Sequence, residues 1–164
     1  TNSSLPHAQV TKRKFADGDM ITVDLTLRYK GYVSDSTRTF GLGSISKEAK
    51  YVYEIVKESQ KAGLKAVRPQ KTCGSVDNVC RKIIEEYGYG PHFIHSTGHG
   101  IGLNVHENPN ISSKSKEKLK KDMAITVEPG IYIPKKFGVR IEDSLIVKDR
   151  VYVMHKFTKD LITI

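Results

Sequence analysis

The sequence of 164 residues has no tryptophan, two cysteines and three methionines. It also lacks long apolar runs. A membrane-spanning helix needs roughly 18–20 consecutive apolar residues, and no stretch approaches that. No charged-then-apolar leader opens the sequence, so nothing in it argues for export. Cys73 and Cys80 have no zinc-knuckle spacing and fall at the start of a helix-like stretch. Two free thiols in a reducing, cytoplasmic compartment are the expectation. Repeats and low-complexity tracts are missing as well. What is present is an ordinary globular composition, 38% hydrophobic and 27% charged. That suits one domain, residues 1–164, and is short for two. The formal net charge is +9, with the densest lysine run at Lys114–Lys121. No stacking aromatics or recognition motif accompany that charge, so it reads as a solvated face, with neither a nucleic-acid nor a membrane partner expected.

The residue pattern predicts an α+β layer fold. Thr1–His7 is loop-like. Ile21–Tyr29 and Tyr32–Phe40, rich in β-branched and aromatic residues, read as strands joined at Lys30-Gly31. Ser46–Ala62 reads as a helix capped by Ser46 and stopped by Gly63, and Ser75–Tyr87 as a second, capped by Ser75 and stopped by Gly88. Strand candidates follow at Gly98–His106, Ala124–Val127, Gly130–Ile133, Val139–Glu142, Ser144–Val147 and Val151–Phe157. Two strands, two helices and then strands suggest helices on one face of a curved, mainly antiparallel sheet.

Several charged residues sit where a strand would bury them. If Lys30-Gly31 is a two-residue turn, Asp24 faces Thr37 and Asp35 faces Thr26, so both carboxylates share one face as diagonal neighbours, with Cβ atoms roughly 7 Å apart or less. Close carboxylates raise each other's pKa, and a cation between them removes the penalty. Two readings stand at this point: a cation-bridging pair, or two solvent-facing aspartates. Three of the six histidines lie in the stretch from His95 to His106, and His99 is flanked by glycines, as where backbone crowds a ligand. Any one of them alone fits a structural role. Glu128 and Glu142 each end an apolar run, where an unpaired carboxylate is costly. Four carboxylates and an imidazole form an oxygen-rich set suited to hard or borderline divalent ions such as Mn²⁺ or Co²⁺.

Five stretches, in order, carry a resemblance: Val-Asp24-Leu, Gly-Tyr-Val-Ser-Asp35-Ser-Thr-Arg-Thr-Phe, Thr-Gly-His99-Gly-Ile-Gly-Leu-Asn-Val-His106-Glu, Val-Glu128-Pro-Gly-Ile-Tyr-Ile-Pro and Gly-Val-Arg-Ile-Glu142-Asp. Together they closely resemble the prolidase and Xaa-Pro aminopeptidase family, over most of the chain. The resemblance implies the "pita-bread" fold and a two-metal site, with Mn or Co expected and Zn as a further candidate. It implies Asp24, Asp35, His99, Glu128 and Glu142 as metal ligands, with Asp35 and Glu142 bridging. Glu128 is implied also as the proton shuttle, His106 as the group on the substrate carbonyl, and His7 as a histidine near the scissile bond. Arg140 matches an arginine beside the metal carboxylates. The implied activity is cleavage before proline in Xaa-Pro peptides, in an enzyme that is often a homodimer.

The match departs from the family in two places. Family members carry further elements and an N-terminal domain before the stretch that begins here at Asn2. The chain is therefore expected to be a C-terminal catalytic portion, inactive in isolation, with an exposed surface where those elements pack. Dipeptide-specific members have an arginine where this sequence has Asn110, with Lys114 the nearest cation. This favours removal of a residue from longer peptides over strict dipeptide cleavage. The rival readings are a dipeptidase, a methionine aminopeptidase, and an inactive binding module of the same fold.

Overall fold

A computed structural model describes residues 1–164. β1 (Met20–Tyr29) and β2 (Tyr32–Gly41) form an antiparallel hairpin. Its turn, Lys30-Gly31, has positive φ at both residues, 48° and 89°. Turns of that hand match the right-handed twist of the flanking strands. The register is the expected one, with Asp24 opposite Thr37 and Thr26 opposite Asp35. Side chains alternate along a strand, so Asp24 and Asp35 share the inner face. Val23, Leu25, Leu27 and Tyr29 occupy the other face and are 43–75% exposed.

α1 (Lys47–Ala66) starts at Ser46, whose hydroxyl accepts the Ala49 N–H at 3.1 Å. Gly63 does not stop it, contrary to the sequence reading. It is buried inside the helix, where a Cβ would overlap Cys80 Sγ and lie 3.0 Å from Val127 Cγ1. The glycine serves close packing rather than termination. α2 (Cys73–Glu86) begins before the expected Ser75, because Thr72 is the cap and accepts the Ser75 N–H at 3.2 Å. Both cysteines are thus helical, buried and free. Burial pushes the Cys80 thiol up to about 12, which makes it inert.

β3 (Gly98–Gly100), β4 (Glu107–Ile111), β5 (Ala124–Val127), β8 (Asp143–Ile146) and β9 (Tyr152–Val153) form an antiparallel sheet in the order β4-β3-β5-β8-β9. β6 (Gly130–Ile133) and β7 (Phe137–Arg140) make a second hairpin. The expected strand Gly98–His106 ends at Gly100 instead. Gly102 O accepts the Val33 N–H at 2.8 Å, which draws the following loop onto the tip of the first hairpin. β4 lies outside the strands the sequence predicts, since it contains Pro109. It is an edge strand, where a missing N–H costs no ladder bond. The last strand is shorter than Val151–Phe157 because the chain beyond it turns to run beside β2.

The helices bury Val52, Val56, Val76 and Ile84 in one core cluster with Ile125, Val127, Val139 and Leu145 of the strands. β2 is stitched to the segment joining β7 and β8. Glu142 N–H donates to Thr37 O at 3.0 Å, and Thr39 Oγ1 donates to Arg140 O at 2.9 Å. That seam carries Asp35 and Glu142 together. No helix is long and apolar enough to cross a membrane.

The packing of Gly63 gives a test with a clear sign. At an exposed helical site, Gly→Ala stabilises by about 1 kcal/mol. Here Gly63→Ala is expected to destabilise by about 1–3 kcal/mol, because the methyl overfills the α1–α2 contact. Urea denaturation reads the sign directly.

Candidate metal centre

The hairpin, the sheet and the β7–β8 seam enclose a cavity of about 900 Å³. All eight residues singled out from the sequence line it: His7, Asp24, Asp35, His99, His106, Glu128, Arg140 and Glu142. They come from separate segments. Asp24 is on β1, Asp35 on β2, His99 on β3, Glu128 just after β5, and Glu142 between β7 and β8.

The glycines around His99 do not crowd a ligand, as the sequence had suggested; they admit neighbouring strands. A Cβ at Gly98 would overlap Thr126 O, and one at Gly100 would overlap Asn108 O. The close approach fixes His99, whose N–H donates to Thr126 Oγ1 at 3.0 Å. Its ring Nδ1 lies 2.9 Å from Gly100 O, a pure acceptor, so Nδ1 carries a proton and Nε2 points at the carboxylates. Nε2 is 3.2 Å from Glu128 Oε1 and 3.8 Å from Asp35 Oδ2. Ligand-type atoms of Asp35, His99 and Glu142 all lie within 4.8 Å of one another. Glu128 flanks this trio through His99. Asp24 stands at its edge, 2.8 Å from Arg140 Nη2.

This arrangement is electrostatically costly by itself. Asp35 is pushed up to about 6 by burial and by the charges of Asp24 and Glu128, against a hydrogen bond from Thr26. Glu142 is raised well above the carboxylate range by burial and then by Glu128 and Asp35. Burial also opposes the charged form of Glu128, but the hydrogen bond and charge of His99 outweigh it and hold Glu128 low. His99 is raised in turn, since Glu128 overcomes the cost of its burial. Glu142 Oε2 accepts the Thr37 hydroxyl at 2.6 Å, while Oε1 is buried with no partner. A buried carboxylate oxygen without a donor, facing other carboxylates and an imidazole nitrogen, is the donor set a divalent cation satisfies.

Some contributors went unassigned in the sequence. Tyr132 hydroxyl accepts from Arg140 Nη1 at 2.9 Å and lies 3.0 Å from His95 Nε2. Because His95 Nδ1 faces Ser96 O at 2.8 Å, Nε2 accepts the tyrosine proton and the ring is fixed. Arg140 Nη1 also donates to Pro6 O at 3.1 Å, which ties down the segment bearing His7. The His99 and His106 ring centroids are 4.3 Å apart. Thr37 and Pro6 act through partners more than 100 residues along the chain, and Tyr132 bridges Arg140, eight residues on, to His95, 37 residues back, so no spacing rule marks them. Lys114 does not line the cavity.

A pH experiment follows from these shifts. An acid whose folded pKa is raised favours the folded state when protonated, so its contribution to stability falls as pH rises from the unfolded value to the folded one. For Asp35 that window runs from about 4 to about 6. Asp143, whose burial opposes its charge but is outweighed by Lys159 and Arg38 together, is held low and gives the opposite slope below about 4. His95 and His155, lowered chiefly by burial, also oppose the trend. The informative comparison is therefore between parent and Glu142→Gln. In metal-free protein at pH 7, Glu142→Gln is expected to raise the Tm and flatten the slope between pH 4 and 7. A Tm gain on adding a divalent cation is expected for the parent and not for Glu142→Gln. A lower Tm with an unchanged slope would count against mutual repulsion.

The model of metallopeptidase family M24 matches residues 1–149. A Xaa-Pro dipeptidase of Pyrococcus furiosus is 47% identical over 147 residues, 90% of this chain and 42% of that protein. A putative Xaa-Pro aminopeptidase of Mycoplasma genitalium is 46% identical over 149 residues, again 90% of this chain and 42% of the relative. The crystal structure of recombinant prolidase from Thermococcus sibiricus superposes with a TM-score of 0.97 at 45% identity, covering 99% of this chain and 45% of that one. The chain thus spans less than half the length of the relatives it matches. With the fold, the donor set and 149 matched residues in agreement, this chain belongs to metallopeptidase family M24.

Proposed function

We propose that this chain provides the metal-binding part of an enzyme that removes the N-terminal residue from peptides with proline in second position. The observation that carries the reading is the convergence of Asp35, His99 and Glu142 on one point, with Glu142 Oε1 buried and unpaired. The names of the relatives, dipeptidase and aminopeptidase, support cleavage before proline.

Asp24, Asp35, His99, Glu128 and Glu142 would hold two divalent cations, Mn²⁺ or Co²⁺ by the oxygen-rich donor set. When bound, such a pair supplies a water acidified to near neutral pH and a Lewis acid for the carbonyl. Glu128 takes the proton of the nucleophile and returns it to the proline nitrogen. Its carboxylate lines the cavity beside the other ligand residues, within reach of the nucleophile it deprotonates. His106, beside His99 on the same wall, donates to the carbonyl oxygen as charge develops there. His7 stands near the scissile bond on the segment anchored by Arg140. Arg140 holds Asp24 in place, spanning Tyr132 and the carboxylate.

The β4 wall of the cavity presents Glu107, Asn108 and Asn110 and no cation. A free carboxylate on the proline of a dipeptide would meet amides and another carboxylate there, and neither can replace a guanidinium fork. That supports peptides longer than two residues. Two buried free thiols support a reducing compartment, the cytoplasm.

The test uses the full-length protein with Mn²⁺, Co²⁺ and Zn²⁺ in turn, on a Xaa-Pro dipeptide and a Xaa-Pro-Yaa tripeptide. The expected result is a higher kcat/KM for the tripeptide with Mn²⁺ or Co²⁺. Cleavage of the dipeptide alone would reverse the substrate preference, and no cleavage with any metal would end the peptidase reading. Glu128→Gln is expected to lower kcat by roughly 10²–10⁴-fold, the usual range for loss of a general base.

A further inference from the structure

Directly behind the carboxylates lies a second charged cluster of opposite balance. Asp143, next to Glu142, is fully buried. Its Oδ1 accepts Arg38 Nη2 at 2.7 Å, and its Oδ2 accepts Lys159 Nζ at 2.7 Å and Gln60 Nε2 at 2.9 Å. His155 Nδ1 stands 3.8 Å from Oδ1. One anion therefore faces two full cations.

Arg38 is 8% exposed and uses every N–H it has. Nη1 donates to Thr37 O at 2.8 Å and Glu142 O at 2.6 Å. Nη2 donates to Asp143 and, at 3.3 Å, to Phe157 O; Nε donates to Thr158 O at 2.9 Å. A guanidinium has five donors in a fixed plane, and here each has an acceptor. The same plane grips the peptide on either side of the β2–Glu142 seam. Ser144 Oγ completes the grip by donating to Asp35 O at 2.7 Å. Lys159 belongs to the segment after β9, which pairs with the end of β2 through Gly41 N–H to Ile162 O at 2.9 Å and Ile164 N–H to Gly41 O at 2.9 Å.

From this geometry we infer that Lys159 and Arg38 are positioning residues of the metal centre, acting through Asp143 and the backbone of Glu142 to hold the carboxylates of Asp35 and Glu142 in register. The inference rests on the metal-centre reading proposed above. Neither residue lines the cavity, so neither touches substrate or cation. The segment after β9 thereby becomes part of the machinery that sets metal affinity.

The test measures Mn²⁺ affinity by calorimetric titration, and the visible spectrum of bound Co²⁺, on metal-free full-length protein. Lys159→Met is expected to weaken Mn²⁺ binding by roughly tenfold, the usual effect of losing a group that orients a ligand. The Co²⁺ spectrum is expected to shift as the ligand geometry relaxes. Lys159→Arg is expected to restore both. Lys57→Met is the control. Lys57 also ties this segment down, through Asp160 at 3.4 Å, but does not touch Asp143, and its loss is expected to leave affinity and spectrum unchanged. If Lys159→Met does not fold, Lys159→Gln carries the same test with a neutral donor. A folded variant with parental affinity and spectrum, whatever its Tm, overturns the inference. A parent chain that binds neither ion overturns this inference and the metal-centre reading together, whereas a binding parent with unaffected Lys159 variants overturns this one alone.

Discussion

Like charges held close in a place with little water repel one another, and the structure around His99 is arranged to bear that repulsion. Asp35 and Glu142 are almost completely buried, and Glu128 is close by. The surroundings do not neutralise them fully. Thr26, Thr37 and Thr126 each give one carboxylate a single hydrogen bond. Arg140, the guanidinium at the site, is spent on Asp24 at the margin. The interior trio is left short of positive charge, which is the condition for tight binding of a small divalent ion. Rigidity is what keeps the trio from relaxing apart: fully buried strands β6 and β7, and the seam between β2 and the β7–β8 segment.

Cations nevertheless surround the site at one remove. Arg38 and Lys159 lie behind the ligand-bearing backbone, paired to Asp143 and not to the ligands themselves. Separation by a strand lets the scaffold carry compensating charge without competing for the coordination positions. Arg140 differs in gripping Asp24 directly, with Tyr132 and Pro6 taking its Nη1 protons and Thr37 Oγ1 its Nε proton.

Much of this was legible in the sequence, for definable reasons. The hairpin register could be read because a two-residue turn leaves no freedom in the pairing, and β-branched residues mark both strands. Asp24 and Asp35 could then be placed on one face before any coordinates. Glu128 and Glu142 stood out as charges at the ends of apolar runs. The errors have local causes. Gly63 looked like a helix stop because its neighbours across the α1–α2 contact are invisible in one dimension. β4 was hidden by Pro109, whose edge position only the sheet order reveals. The loop after Gly100 reads as strand from its apolar residues, but its backbone docks on the hairpin tip through Gly102 O and Leu103 O instead of pairing. Arg38 and Asp143 carry no role inside the quoted motifs, since they pair with each other across 105 positions and Asp143 also with the distant Gln60 and Lys159.

The two-residue turn at Lys30-Gly31 also limits how this protein can diverge. Successive residues of a strand point to opposite faces, so the parity of the connection decides where everything after it looks. One inserted residue would send Asp35 outward among Val23 and Leu25 and bring Ser34 or Ser36 inward. Length variation between related chains should therefore gather elsewhere, in stretches such as Ser112–Asp122 that lie between strands without setting any ligand's side. The Lys30-Gly31 turn shares its length of two with the β5–β6 and β7–β8 connections, which carry Glu128 and Glu142 themselves, and none of the three is free to change its count.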